Sequence, residues 1–404
     1  METPSPAFGY LDGVDNNRIF GWAMRSHTTD PVSVRLLLDN KPIATVKASS
    51  FRSDLVGLHP TGYCGFEVDM KTADFTLPDH GTVQAFVIDS EEELAGSPWL
   101  TYSSSYIEQA KQEIASRSFT EETVKVLILG LGKSGTSILT YRIAAPHPDM
   151  VVHFEPHTTL CLNHIAFHKE ATAVNKVITK ALYYPHQPEQ LDLISRFYNK
   201  KICIVRDPRD LLISTFLYSW NRGDHPPADL FPQALKLVQA KEAQPRAVTM
   251  RSLLALRPEV ERHILDASNT FSLVVADLGP EWLILKYEDF VSGNIAHLND
   301  YLGYGIQAEA TVPDNLNRVV RSKSFDNWRR WFTPGDVAHF QPQITPFLAQ
   351  LGYDSADWQL TNVDSLPRAA SSAYMTRIFN PPVKKQTSWE IVKGWFTEKI
   401  KAAG

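Results

Sequence analysis

The chain is poor in cysteine: Cys64, Cys161 and Cys203 are the only three in 404 residues, and no two stand at CxxC spacing. A redox dithiol and a cysteine-rich zinc centre are thereby excluded, and the thiols are expected to be buried and reduced. Positive charge is not in excess either, since 40 Lys and Arg stand against 45 Asp and Glu for a net −5. A generally basic nucleic-acid binder does not fit that balance, whereas a local anion site does. No apolar run approaches the roughly 18 residues of a membrane-spanning helix. The segment METPSPAFGYLDG lacks the basic and apolar regions of a secretory leader, so the expected compartment is the cytoplasm. Core-forming material is present in ordinary amount, with 43% hydrophobic and 21% charged residues. That excludes global disorder, and at roughly 150 residues per domain the length suggests two to three domains.

Residues 9–100 read as an all-β unit. Short apolar or alternating runs fall at Arg18–Ala23, Val32–Leu38, Ile43–Ala48, Gly65–Met70 and Thr82–Asp89, with turn-rich stretches between them. Asp39-Asn40-Lys41 suits a hairpin, and the spacing predicts a small antiparallel sandwich. Trp22, Phe51 and Phe66 are expected in its core, because aromatic side chains dominate cores. Residues 101–122 carry Ile107, Ala110, Ile114 and Ala115 at helical spacing and read as a linker helix. Over residues 123–360 strands and helices alternate. Val124–Leu129 (VKVLIL), Lys201–Val205 (KICIV) and Trp282–Lys286 (WLILK) are continuous apolar runs of the kind buried on both faces. The expected fold class is therefore α/β, a parallel sheet with helices on both faces, preceded by the sandwich. Ligands of such sheets bind beyond the carboxyl ends of the strands.

Chemistry-bearing residues follow each run. After the first comes Gly130-Leu131-Gly132-Lys133-Ser134-Gly135-Thr136-Ser137, where glycines allow close backbone approach and a helix start offers N–H groups to an anion. Lys133 adds a charge, and Ser134, Thr136 and Ser137 add hydroxyls. This is not a Walker A loop, which would need glycine where Leu127 stands. After the second run comes Arg206-Asp207-Pro208-Arg209-Asp210, then Ser214 about two turns into the following helix. Asp207 suits an N-cap and Pro208 the first helical turn. Arg206 and Ser214 could converge on one oxyanion, or Arg206 could instead pair with Asp207 or Asp210.

The two sites together resemble the sulfotransferases that use 3′-phosphoadenosine-5′-phosphosulfate (PAPS). The resemblance covers roughly residues 123–355 and extends to Tyr287-Glu288-Asp289 and to Arg321–Phe332 (RSKSFDNWRRWF). It implies a P-loop-like sheet and a donor site in which the first loop (Lys133, Ser134, Gly135, Thr136, Ser137) takes the 5′-phosphosulfate. Arg206 and Ser214 would then take the 3′-phosphate, with Tyr287, Arg321 and Lys323 as further donor-site residues. Many cytosolic members carry tryptophan where this chain has Ile138, so no adenine-stacking role is assigned there. The segment Val151–His157 resembles the Phe-Glu-Pro segment of carbohydrate sulfotransferases, which implies Glu155 as the base. Burial beside Phe154 would strengthen that role, and His153 and His157 are the alternatives. Lys133 would stabilise the leaving phosphate. The implied activity is sulfuryl transfer from PAPS to a carbohydrate or glycolipid hydroxyl, with 3′-phosphoadenosine-5′-phosphate (PAP) as product and no metal.

His153/His157 and His164/His168 have the i,i+4 spacing of a zinc-binding helix face, but Pro156 interrupts the first pair and no HExxH completes a ligand set. They are read as groove or core histidines. A P-loop kinase is the rival enzyme reading, and it lacks the Walker spacing and a clear strand-end Asp for magnesium. A degenerate glycan- or anion-binding module is the non-enzyme alternative, against which the intact Lys133, Glu155, Arg206 and Ser214 argue. The N-terminal unit resembles β-sandwich modules appended to bacterial glycan-modifying transferases, on Gly21-Trp22-Ala23, Leu38-Asp39, Arg52-Ser53-Asp54-Leu55 and Tyr63-Cys64-Gly65-Phe66. In the tail, residues 361–404, the stretch Ser371–Gln386 reads as a loose linker. Ser388–Lys401 reads as an amphipathic helix that docks on the catalytic domain or makes peripheral membrane contact.

Overall fold

The computed structural model describes residues 7–14, 18–25, 28–52, 55, 59–70, 72, 78, 80–155, 165–183, 189–221, 226–310 and 324–380. The N-terminal strands are β1 (Ala7–Val14), β2 (Arg18–Arg25), β3 (Val32–Leu38), β4 (Lys41–Ala48), β5 (Ser50–Phe51), β6 (Tyr63–Asp69), β7 (His80–Val87) and β8 (Trp99–Tyr102). They form two antiparallel four-stranded sheets, ordered β1-β2-β6-β5 and β4-β3-β7-β8. Alternation decides which side chains meet between them: Val32, Val34 and Leu36 of β3 are buried while Ser33 and Arg35 lean outward. The β3–β4 hairpin turns on Asp39 and Asn40, whose φ values of 51° and 65° are those of a two-residue primed turn. Phe66 is core and Trp22 partly buried, but Phe51 is not core. It is 55% exposed on a two-residue edge strand, its ring 5.2 Å from that of the equally exposed Tyr63. The strand of Phe51 is two residues long at the sheet edge, and both of its side chains are exposed.

The second sheet contains β9 (Val124–Gly130), β10 (Val151–Phe154), β11 (Lys176–Leu182), β12 (Lys200–Val205) and β13 (Trp282–Lys286). All five strands are parallel, in the order β10-β11-β9-β12-β13. Its central strands β9 and β12 are apolar over Val126–Leu129 and Ile202–Val205 because both faces are covered there. Leu127 and Leu129 of β9, with Cys203 and Val205 of β12, enter one core; Val126, Ile128, Ile202 and Ile204 enter the core on the opposite face. The chain order reverses around β9, which opens a crevice beyond its carboxyl end. Cys64 and Cys203 are buried thiols, and Cys161 lies outside the described residues.

The helix Ser104–Ser116 follows the sandwich, with Ser103 as N-cap. It is more than a spacer, because Ala110 and Ile114 enter the same core as Leu127 and Leu129. Glu170 of the helix Ile165–Ala171 ties the two units: it accepts the Tyr106 hydroxyl at 2.9 Å and lies 3.0 Å from His80 Nδ1 on β7. The sandwich keeps its own core around Leu11, Ile19, Val34, Leu36, Val83 and Ala85. Residues 102–404 are therefore expected to fold alone, with a single cooperative melt by circular dichroism. Aggregation of that fragment would show that the sandwich completes the core of the α/β unit.

The expected loose linker over 371–386 is corrected in its first half. Ser372–Phe379 is a helix whose Tyr374, Met375 and Ile378 are buried in the main core. Phe379 stacks on Phe231 with ring centroids 3.7 Å apart, and Glu242 accepts the Ser372 N–H at 2.7 Å. Three apolar side chains at helical spacing outweigh the polar residues between them. The expected helix Ser388–Lys401 lies outside the described residues. Among those described, no helix is long and apolar enough to cross a membrane.

Candidate functional site

The crevice beyond β9 is floored by the loop 131–135 and the helix Thr136–Ala144. Lys133 and Gly135 both have positive φ, 67° and 93°. At Gly135 a β-carbon would lie 2.7 Å from the Tyr287 ring, so glycine is required on two counts. At Gly132 a β-carbon would meet nothing within 4 Å, which leaves that side of the loop open. Gly135 caps the helix without a side-chain acceptor, so the first N–H groups are not taken by a cap. Ser134 is turned inward: its N–H and its hydroxyl both donate to the Leu131 carbonyl, at 3.2 and 2.7 Å. It closes the loop rather than presenting its hydroxyl outward. Thr136 is buried in the first turn, Ser137 is partly exposed, and Ile138 packs against the core below. The Lys133 ammonium lies 3.8 Å from the centre of the Tyr218 ring, a contact of cation–π type.

Arg206 emerges at the carboxyl end of β12, next to β9 in the sheet. Asp207 caps the following helix as its sequence predicts, accepting the Arg209 N–H at 2.8 Å, with Pro208 in the first turn. That cap engages Asp207, which also pairs with the Arg209 guanidinium at 2.7 Å. Asp210 accepts the Trp328 N–H at 2.9 Å and stands close to Asn327. Arg206 forms an ion pair with neither aspartate. Its Nη1 donates to the Lys133 carbonyl at 2.7 Å and lies 3.4 Å from Ser214 Oγ, and its guanidinium rests 4.2 Å above the Tyr287 ring. Nε and Nη2 of Arg206 are buried with no hydrogen-bond partner among the described residues. Leaving charged donors unmatched in a buried place is costly, so the geometry is that of an anion site. Arg206, Ser214, Tyr287 and the 133–137 loop are thus brought together, while Arg321 and Lys323 lie outside the described residues.

On the other side of the loop, Glu155 follows β10 with φ 45°. Its N–H donates to the Lys180 carbonyl at 3.2 Å, and its carboxylate pairs with the Lys180 ammonium. Lys180 is 2% exposed, lies 4.2 Å from the centre of the Phe154 ring and also donates to Ser137 Oγ at 3.1 Å. One buried ammonium thus joins the carboxylate after β10 to the helix that follows the 131–135 loop. Lys180 was not singled out from the sequence. Its strand β11 (KVITKAL) mixes two lysines and a threonine into an apolar run, and only its place between β10 and β9 buries the ammonium.

The histidines divide. His153 is held mainly neutral because burial disfavours its charged form. His168 is core, its Nδ1 2.8 Å from the Tyr198 hydroxyl, which donates to Thr179. His157 and His164 lie outside the described residues. Among those described, no group of three His, Cys, Asp or Glu could hold a metal ion.

No known family model matches the chain, and no curated protein does. Solved structures similar to it include the mouse sulfotransferase SULT7A1 complexed with PAP, at 16% identity over 62% of this chain and 93% of that one, with a TM-score of 0.37. A sulfotransferase from Alicyclobacillus acidocaldarius is similar at 15% identity over 57% of this chain and 96% of the other, with a TM-score of 0.34. The sulfotransferase domain from the curacin biosynthetic pathway matches at 15% identity over 59% and 99%, with a TM-score of 0.33.

Proposed function

We propose that this chain is a sulfotransferase that moves a sulfuryl group from PAPS to a hydroxyl of a carbohydrate or glycolipid. The observation that carries the reading is Arg206, whose Nε and Nη2 are buried with no hydrogen-bond partner among the described residues, beside Ser214 and the 133–137 loop. A 3′-phosphate on Arg206 and Ser214 would satisfy those donors, and a 5′-phosphosulfate on the open side of the loop would meet helix N–H groups and Lys133. The donor supplies a sulfuryl group already joined to a phosphate leaving group.

Glu155 accepts the proton of the acceptor hydroxyl as its oxygen forms the new bond to sulfur. Lys180 fixes that carboxylate against the loop, with Ser137 as its third contact. Lys133, drawn off the Tyr218 ring, meets the charge that builds on the phosphate oxygen as its bond to sulfur breaks. Glu155 follows β10, Lys180 lies on β11 and Lys133 follows β9, three adjacent strands of the sheet.

Calorimetry of PAP against ATP with magnesium tests the reading. PAP is expected to bind at least about tenfold more tightly, because ATP lacks the 3′-phosphate and leaves Arg206 unmatched. Equal binding, or tighter binding of ATP with magnesium, would refute the sulfotransferase assignment.

A further inference from the structure

In the segment Tyr287-Glu288-Asp289, the Tyr287 ring lies against the Arg206 guanidinium. Glu288 stands just beyond β13, the neighbour of β12, and is partly buried. Its Oε1 accepts the Asp207 N–H at 3.3 Å, and its Oε2 accepts the Tyr353 hydroxyl at 2.7 Å. The Asp207 N–H belongs to the planar peptide that leaves Arg206. Holding that peptide therefore fixes the direction from which the Arg206 side chain departs.

The surroundings disfavour a charge on Glu288. Burial is the main cause and the nearby Asp207 carboxylate adds to it, against the opposing hydrogen bond from Tyr353, so the carboxyl is pushed up to about 7. The cations around it are engaged elsewhere: Arg209 pairs with Asp207, Arg329 with Asp357, and Lys286 with the Gly352 carbonyl. Burial and the nearby Glu288 and Asp207 carboxylates hold the Tyr353 hydroxyl protonated, with the Arg206 charge opposing them.

We propose that Glu288 is a positioning residue of the 3′-phosphate site, holding the Arg206–Asp207 peptide and taking up a proton when the phosphate binds. This inference rests on the donor reading above. A doubly charged phosphate at Arg206 adds like charge near the carboxyl and favours its protonated form. Protonated, Glu288 keeps both contacts, since its carbonyl oxygen still accepts from Asp207 and its hydroxyl donates to the Tyr353 oxygen. The sign follows from linkage: a ligand that prefers the protonated protein binds less tightly as pH rises through the free-state value of about 7.

The test is calorimetry of PAP on the full chain between pH 6 and 9, in two buffers of different ionisation enthalpy. Wild-type protein is expected to take up a proton on binding and to lose affinity roughly threefold to tenfold from pH 7 to 9. Glu288→Gln keeps the shape and the acceptor but cannot titrate. It should match wild-type affinity at pH 6 within about threefold, hold it up to pH 9 and lose the buffer-dependent heat. Glu288→Ala should bind about tenfold more weakly at every pH, and if it does not fold, the Gln variant decides alone. The phosphate's own ionisation contributes equally to all three proteins. An unchanged pH slope and unchanged buffer-dependent heat in Glu288→Gln would overturn this inference and leave the function standing. A wild-type chain that binds no PAP at any pH would overturn both.

Discussion

Glu155→Gln is expected to lower kcat by about 10²–10⁴-fold, the usual contribution of a general base, while the Kd for PAP stays within about twofold of wild type. The substitution is nearly isosteric. An amide oxygen still accepts from Lys180, and the Glu155 N–H still reaches the Lys180 carbonyl. The position itself is demanding, since a non-glycine residue at positive φ costs on the order of 1 kcal/mol or more. The two Lys180 contacts offset that cost in both proteins. What the variant lacks is a group able to take the acceptor proton, so the loss falls on turnover and not on the donor. Steady-state kinetics with calorimetry of PAP separate the two effects. Retention of more than about a tenth of the wild-type kcat would move the base elsewhere. His153 would be tested next, because burial keeps its imidazole neutral and able to accept a proton.

Those parts of the site that depend on local chain chemistry were legible in the sequence. β9 and β12 announce themselves as apolar runs because a strand covered on both faces has little polar side to show, while β13 is an equally apolar run at the sheet edge that leaves Ile284 exposed. The turn after β12 is equally plain: Asp207 and Pro208 start the helix where a cap and a first-turn proline should, and Arg206 falls at the strand end as a result. Parts that depend on what lies opposite were not legible. Nothing in KVITKAL says that its second lysine will be buried between two strands, and nothing in SAYMTRIF says that a core waits for Tyr374 and Met375. The same limit explains Phe51, an aromatic residue on a two-residue edge strand whose side chains are exposed. Ser134 illustrates a finer case. The motif promises a hydroxyl to the anion, but the turn's own carbonyl at Leu131 is nearer and takes it. Whether Arg206 paired with Asp207 or Asp210 was open until both aspartates were seen to be engaged, one by Arg209 and the other by the Trp328 N–H.

Arg206→Ala is expected to weaken PAP by about 10²–10³-fold, which corresponds to the loss of two charge-assisted hydrogen bonds of about 1.5–3 kcal/mol each, less some relaxation. The two donors at issue are Nε and Nη2, which are buried with no partner among the described residues and so gain most when an anion arrives. Nη1 has a different task, since it already holds the Lys133 carbonyl at 2.7 Å and so steadies the loop. Arg206→Ala therefore removes a ligand contact and a loop contact together, and a second nucleotide is needed to tell them apart. Adenosine 5′-phosphosulfate, which has no 3′-phosphate, serves that purpose. If Arg206 reads the 3′-phosphate, its removal should cost this nucleotide less than about threefold. An equal loss for both nucleotides would mean that Arg206 acts only by shaping the Lys133 turn. Arg206→Lys sharpens the comparison, because an ammonium keeps the charge but cannot present two parallel donors or lie flat on Tyr287. It should recover only part of the PAP affinity. Full recovery with lysine would show that the site reads charge alone, and the fork geometry of Arg206 would then have no part in selecting the donor.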